Sequence, residues 1–113
     1  MLNQLQQLEY ARKQMKNASK ELRDRGKAKA RAEADYQAVK ARRALEMKAE
    51  GHSGTMIQTL IKGDPEVNQK LFERDCAEVL YESAKEALNV YKLDAKLLEA
   101  DIERAWNDAK RMI

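Results

Sequence analysis

Residues that break helices are confined almost entirely to one short stretch of this chain. Gly51, Gly54, Gly63 and Pro65 fall within fifteen residues, and Gly26 is the one other glycine. A β-rich fold needs frequent turns, and this sequence offers few outside that stretch. The chain therefore reads as two long segments of nearly equal length around a central connector. Both are rich in Ala, Leu, Glu, Lys, Arg and Gln, the residues with the lowest helical cost. The predicted elements are a long helix over about 2–50, a connector with a short helix over about 51–64, and a second long helix over about 65–112. Within 113 residues this is a single helical domain, 1–113.

The boundaries carry their own chemistry. Gly51 can adopt the left-handed conformation that ends a helix. Ser53 or Thr55 can cap a short helix through Met56, Ile57, Leu60 and Ile61, which Gly63 would close. Asp64-Pro65-Glu66 then opens the last helix: Asp64 as N-cap, Pro65 in the first turn, and Glu66 near the positive end of the dipole.

The last helix has the clearer period. Tyr81, Ala84, Leu88, Tyr91, Ala95, Leu98, Ile102, Ala105, Ala109 and Met112 follow steps of three and four, a heptad seam. On the first helix Leu8, Met15, Leu22 and Tyr36, with Ala11, Ala18, Ala32 and Val39, make a weaker seam that Arg25 and Lys29 interrupt. Each long helix would span roughly 70 Å. Equal lengths around a short connector predict an antiparallel helical hairpin. Leu45, Met47, Met56, Ile57, Leu60, Ile61, Leu71, Phe72, Cys76 and Leu80 are expected to gather at its connector end, with Cys76 as a small buried apolar residue. Val79, Val90, Leu93 and Leu97 lie off the seam, and together they exceed what one hairpin can bury. This excess predicts a homodimer, two hairpins pairing into a four-helix bundle.

Charge is distributed unevenly. Residues 1–50 hold 13 Lys+Arg against 7 Asp+Glu, a net +6, whereas residues 65–113 hold 8 against 11, a net −3. From Arg12 to Arg31 nine basic residues face only Glu21 and Asp24. Lys13, Lys20 and Lys27 recur every seven residues on the side away from the seam, about 10 Å apart, with Lys16 and Arg23 beside them. Such an edge suits phosphates or an acidic protein surface, or is simply a solvated helix face. No aromatic residue is interleaved with it, so contact would be to nucleic-acid backbone and weakly sequence-selective. The candidate nucleic-acid-binding set is Lys13, Lys16, Lys20, Arg23, Lys27 and Arg31. The candidate partner-binding set is Val90, Leu93, Leu97 and Trp106, an exposed aromatic being a frequent interface anchor. Trp106 is one residue past the seam, so a place flanking the core is the alternative.

Enzymatic chemistry finds little support. Gly51-His52-Ser53-Gly54-Thr55 fails the nucleophile-elbow pattern at Thr55 and lacks the preceding strand. Lys62 lies in a turn without the spacing of a phosphate loop. Glu78, Glu82 and Glu86 are four apart, but the helical di-metal pattern also needs histidines that this row lacks. One His and one Cys argue against a zinc site and an internal disulfide. No catalytic residue, metal or cofactor is expected. The longest apolar run is three residues, Val79-Leu80-Tyr81, against the roughly 20 of a membrane span. Residues 1–30 lack the apolar core of a signal peptide. A cytoplasmic protein with no membrane partner is the expectation.

Ala34-Asp35-Tyr36, Ala44-Leu45-Glu46, Gly51, Thr55-Met56-Ile57, Leu60-Ile61-Lys62-Gly63-Asp64, Arg74-Asp75, Ala84, Ala87-Leu88 and Ile102-Glu103-Arg104-Ala105-Trp106 give the chain a wider likeness. Over Ala32–Trp106, about two thirds of its length, it resembles small helical proteins of phages and prophages of Gram-positive bacteria. Its most specific part is the Thr55–Asp64 connector. The resemblance implies a bacterial host cell and a small accessory role: replication or recombination on DNA, or inhibition of a host defence protein. It implies no catalytic residues, and the basic run falls largely outside it. The leading expectation is a non-enzymatic protein that binds DNA or a nucleoprotein. The alternatives are an inhibitor or adaptor that binds a host or phage protein, and a coiled-coil scaffold.

Overall fold

The computed structural model describes residues 2–112; Met1 and Ile113, included in the predicted domain, lie outside the described residues. Three helices account for the fold: α1 (Leu2–Ala49), α2 (Gly54–Lys62) and α3 (Pro65–Arg111). The long helices pack on each other as a hairpin and divide into two compact units, one of residues 2–23 with 82–112, the other of residues 24–81.

In the second unit the connector shows why the chain turns where it does. Gly51 has φ +94°. Its N–H donates to the Lys48 carbonyl at 3.0 Å and that of His52 to the Met47 carbonyl at 3.2 Å, the paired bonds that close a helix around a left-handed residue. Ser53 caps α2, its Oγ accepting from the Met56 N–H at 3.2 Å. Asp64 caps α3 through Oδ2, which accepts from the Val67 N–H at 3.0 Å. Asp64 is itself buried. Its Oδ1 accepts from Arg43 Nε at 2.9 Å, so α1 is tied to the first turn of α3. Arg42 adds an ion pair to Glu66. Further along, Arg74 pairs with Glu33 at 3.5 Å, and Gly26 lies against Tyr81. Partners on α1 fall in number as those on α3 rise, so the helices run antiparallel in this unit.

The core at the connector end is smaller than the sequence suggests. Tyr36, Met47, Ile61 and Val67 are buried, with Val39, Ala44, Ile57 and Leu71 packed against them. Leu45, Met56, Leu60, Phe72 and Leu80, expected in this cluster, are exposed, and so is Cys76, expected as a buried residue. The reason is angular. The α3 face turned to α1 carries Val67, Leu71, Arg74 and Tyr81, whereas Phe72, Cys76 and Val79 follow the same spacing on the opposite side. A hairpin covers one stripe per helix, so hydrophobic neighbours in sequence do not share its core.

In the first unit Ala11 and Ala18 of α1 and Leu88 and Ala95 of α3 are buried. Met15, Leu22, Tyr91, Leu98, Ile102 and Ala105 are half-buried around them. The predicted α3 seam holds through Ala105 and then stops, since Ala109 and Met112 are exposed. Asn3, at the start of α1, shares a groove with Asp101, so α3 runs past the α1 turns that could cover Ala109.

Two outcomes follow. The Arg43 guanidinium and the Val67 N–H hold the Asp64 carboxyl below its ordinary value. A depressed carboxyl contributes stability above its unfolded value, about pH 4, and that contribution fades as pH falls through the folded value. Asp64→Asn, which keeps a capping oxygen, should flatten the acid limb of a Tm-against-pH curve. Asp64→Ala should cost about 1–2 kcal/mol at neutral pH. Gly26 is interior to α1, and a Cβ there would meet the Tyr81 ring at 3.5 Å, an ordinary contact. Gly26→Ala should therefore stabilise the protein by about 0.5–1 kcal/mol in chemical denaturation.

Candidate nucleic-acid interface

The inward face of α1 fixes where its cations point. In the first unit Ala11 and Ala18 are buried on the seam, with Met15 and Leu22 half-buried between and beyond them. At 100° per residue, Lys13, Lys16, Lys20 and Arg23 fall on the opposite side of the helix, and all four are exposed. In the second unit Lys27 and Arg31 are exposed, while the seam positions Arg25, Lys29 and Ala32 are half-buried.

Several basic residues are engaged within the fold, whereas the six outward cations of α1, like Lys48, Lys62, Lys85, Lys92, Lys96 and Arg111, are not. Arg12 reaches Glu99 at 3.7 Å, Arg42 pairs with Glu46 and Glu66, Arg43 with Asp64 and Glu46, and Arg74 with Glu33 and Asp75. Lys29 lies over the Tyr81 ring, 4.7 Å from its centroid. Lys13, Lys16, Lys20, Arg23, Lys27 and Arg31 make no hydrogen bond or ion pair with the described residues. Their charge is unspent, and each can meet a phosphate oxygen without first breaking an intramolecular contact. All six residues proposed from sequence spacing are thus on the surface of α1.

The predicted partner-binding residues are also exposed. Val90, Leu93 and Leu97 are 50 %, 57 % and 58 % accessible, and Trp106 is 55 % accessible with Lys110 Nζ 5.6 Å from its ring centroid. Trp106 therefore does not flank the core. The connector motifs have structural duties. Ser53 is the α2 cap, and His52 lies 3.7 Å from Glu50. Among the described residues, no three His, Cys, Asp or Glu side chains converge as a metal would require. No helix is long and apolar enough to cross a membrane.

Sequence reasoning missed two features. One is a groove of about 680 Å³ in the first unit, lined among others by Tyr10, Gln14, Tyr91, Asp94, Leu97 and Leu98. The other is the pairing of cations with seam tyrosines: Lys29 over Tyr81, and Arg74 over Tyr36 at 4.8 Å. Extending both heptad rows through the charged positions would have revealed the second, because Lys29 and Arg74 occupy seam positions. Comparison of the chain with protein-family models, curated proteins and solved structures gives no match.

Because the outward lysines hold nothing in the fold, replacing Lys13, Lys20 and Lys27 together by Gln should leave it intact. Far-UV circular dichroism should be unchanged, and unfolding free energy should stay within about 0.5 kcal/mol per site.

Proposed function

We propose that the protein is a non-enzymatic accessory factor that binds the phosphate backbone of DNA, bare or within a nucleoprotein, through the outward cations of α1. The observation that carries this reading is the grouping of six exposed cations without hydrogen bond or ion pair, Lys13, Lys16, Lys20, Arg23, Lys27 and Arg31, on one stretch of α1. Side chains that neither stabilise the hairpin nor pair with its acids are available to a polyanion. Their regular spacing, and the absence of aromatic rings among them, suit contact with phosphates rather than with bases. The resemblance read from the sequence, to small phage and prophage proteins, would give this binding a setting in replication or recombination within a bacterial cytoplasm. The excess apolar surface of α3 supports pairing of two hairpins into a four-helix bundle.

A second reading rests on a different observation. Val90, Leu93, Leu97 and Trp106 form an exposed apolar set on α3, which fits an inhibitor or adaptor that docks on a host or phage protein. Fluorescence anisotropy with labelled single- and double-stranded DNA separates the two. Six phosphate contacts should weaken binding roughly a thousandfold between about 50 and 200 mM salt. The Lys13, Lys20 and Lys27 to Gln variant should bind more weakly and show about half the salt slope. Absence of binding at the lower salt, or a variant with unaltered affinity, would remove α1 as the site and leave the α3 surface as the contact.

A further inference from the structure

In the first unit α3 carries two heptad rows. One, through Leu88, Ala95 and Ile102, is turned to α1. The other runs through Glu86, Val90, Leu93, Leu97, Ala100 and Arg104, in steps of four, three, four, three and four, and every member is exposed. A lone hairpin has no use for a second row of that period, because knobs at this spacing fit the holes of another helix.

The order of residues in this row points to what the other helix is. Counting from Ala95, Leu93 and Leu97 are two residues away on either side, Val90 and Ala100 five, and Glu86 and Arg104 nine. The row is therefore symmetric in apolar character and opposite in charge at its two ends. We infer that a second copy of this chain docks here, its α3 antiparallel to the first, with the twofold axis at Ala95. This rests on the pairing of hairpins proposed above and supplies its surface and register. Because the row lies on the side of α3 away from α1, it joins the hairpins through α3 alone, as a four-helix layer in place of a closed bundle. Leu93 then faces Leu97 of the partner subunit, Val90 faces Ala100 of the partner subunit, and Glu86 faces Arg104 of the partner subunit. The twofold repeats each contact, giving four apolar layers closed at both ends by an ion pair.

Charge selects the orientation. A parallel pair would set Glu86 against its own copy and Arg104 against its own, whereas the antiparallel pair joins them. Arg104 is available for this, since its side chain is 74 % accessible and its one ion-pair partner among the described residues is Asp101, a local and half-exposed neighbour on the same helix. Near the axis the arrangement brings Lys96 towards its copy on one flank and Asp94 towards its copy on the other. These flanking positions stay in water, where screening keeps like-charge repulsion small. Four apolar layers make a short interface, so the dimer is concentration-dependent. The interface lies on α3, so Lys13, Lys16 and Lys20 on the outward side of α1 remain free for phosphate.

Sedimentation velocity of the full chain over a wide concentration range tests the proposal. The native protein should pass from monomer to dimer, and Leu93→Gln with Leu97→Gln should abolish the dimer with helicity retained. Glu86→Arg and Arg104→Glu should each weaken dimerisation about tenfold, and the two together should restore it. A native protein that is monomeric at every concentration would overturn the pairing itself. A dimer indifferent to the single charge reversals, or a double variant no tighter than either single one, would overturn this register and leave the pairing of hairpins standing.

Discussion

The carboxylate of Asp64 joins three parts of the chain that would otherwise be independent. One oxygen accepts the Val67 N–H and fixes the first turn of α3. The other accepts Arg43 and ties that turn to α1. The Asp64 N–H in turn donates to the Ile61 carbonyl at 3.3 Å, closing α2. Burial makes the arrangement demanding, because a buried carboxylate without partners would be costly. Here every lone pair that matters is taken up by a cap or a guanidinium. The turn is thus held by polar geometry, with Met47, Ile61 and Val67 packed beside it.

From that turn onward the hairpin has only one seam to bury, and this decides much of the surface. Neither long helix can cover more than one of its faces, so apolar side chains off the seam stay in water, as Phe72, Val79, Val90, Leu93 and Leu97 do. The seam also tolerates charge. Lys29 and Arg74 occupy positions where an apolar residue would be usual, and each sets its cation against a tyrosine ring. Half-exposed cations keep contact with water while their stems and partner rings cover the seam. A larger fold would have excluded these residues from its interior; a two-helix layer does not need to.

The sequence made the helices and their ends legible because those signals are local. Asp64-Pro65 marks a helix start within two residues, Gly51 marks a stop, and the α3 seam from Tyr81 to Ala105 is a period readable without knowledge of any partner. What depends on distant residues was not legible. Arg43 and Asp64 are 21 positions apart, and nothing in either segment announces the pair. Val67 entered the core because the capped turn aims it there. Cys76 was misjudged because Phe72, Val79 and Leu80 surround it in sequence, yet face, not neighbourhood, determines burial on a helix. The outward cations were legible for the complementary reason: a residue opposite a seam needs no partner to be placed.

Three faces follow from these constraints. The seams of α1 and α3 are used up by the hairpin. The outward side of α1 is cationic, and its six cations make no hydrogen bond or ion pair with the described residues. The middle of the second row of α3 is apolar and exposed, which solubility disfavours, and the proposed dimer would cover it. The unpaired cationic face and the exposed apolar row thus lie on different helices and answer to different physics. Contact at α1 should weaken with salt, whereas contact at α3 should weaken with dilution and much less with salt. A hairpin too thin to hide its surplus residues can in this way carry two independent contacts on one short chain.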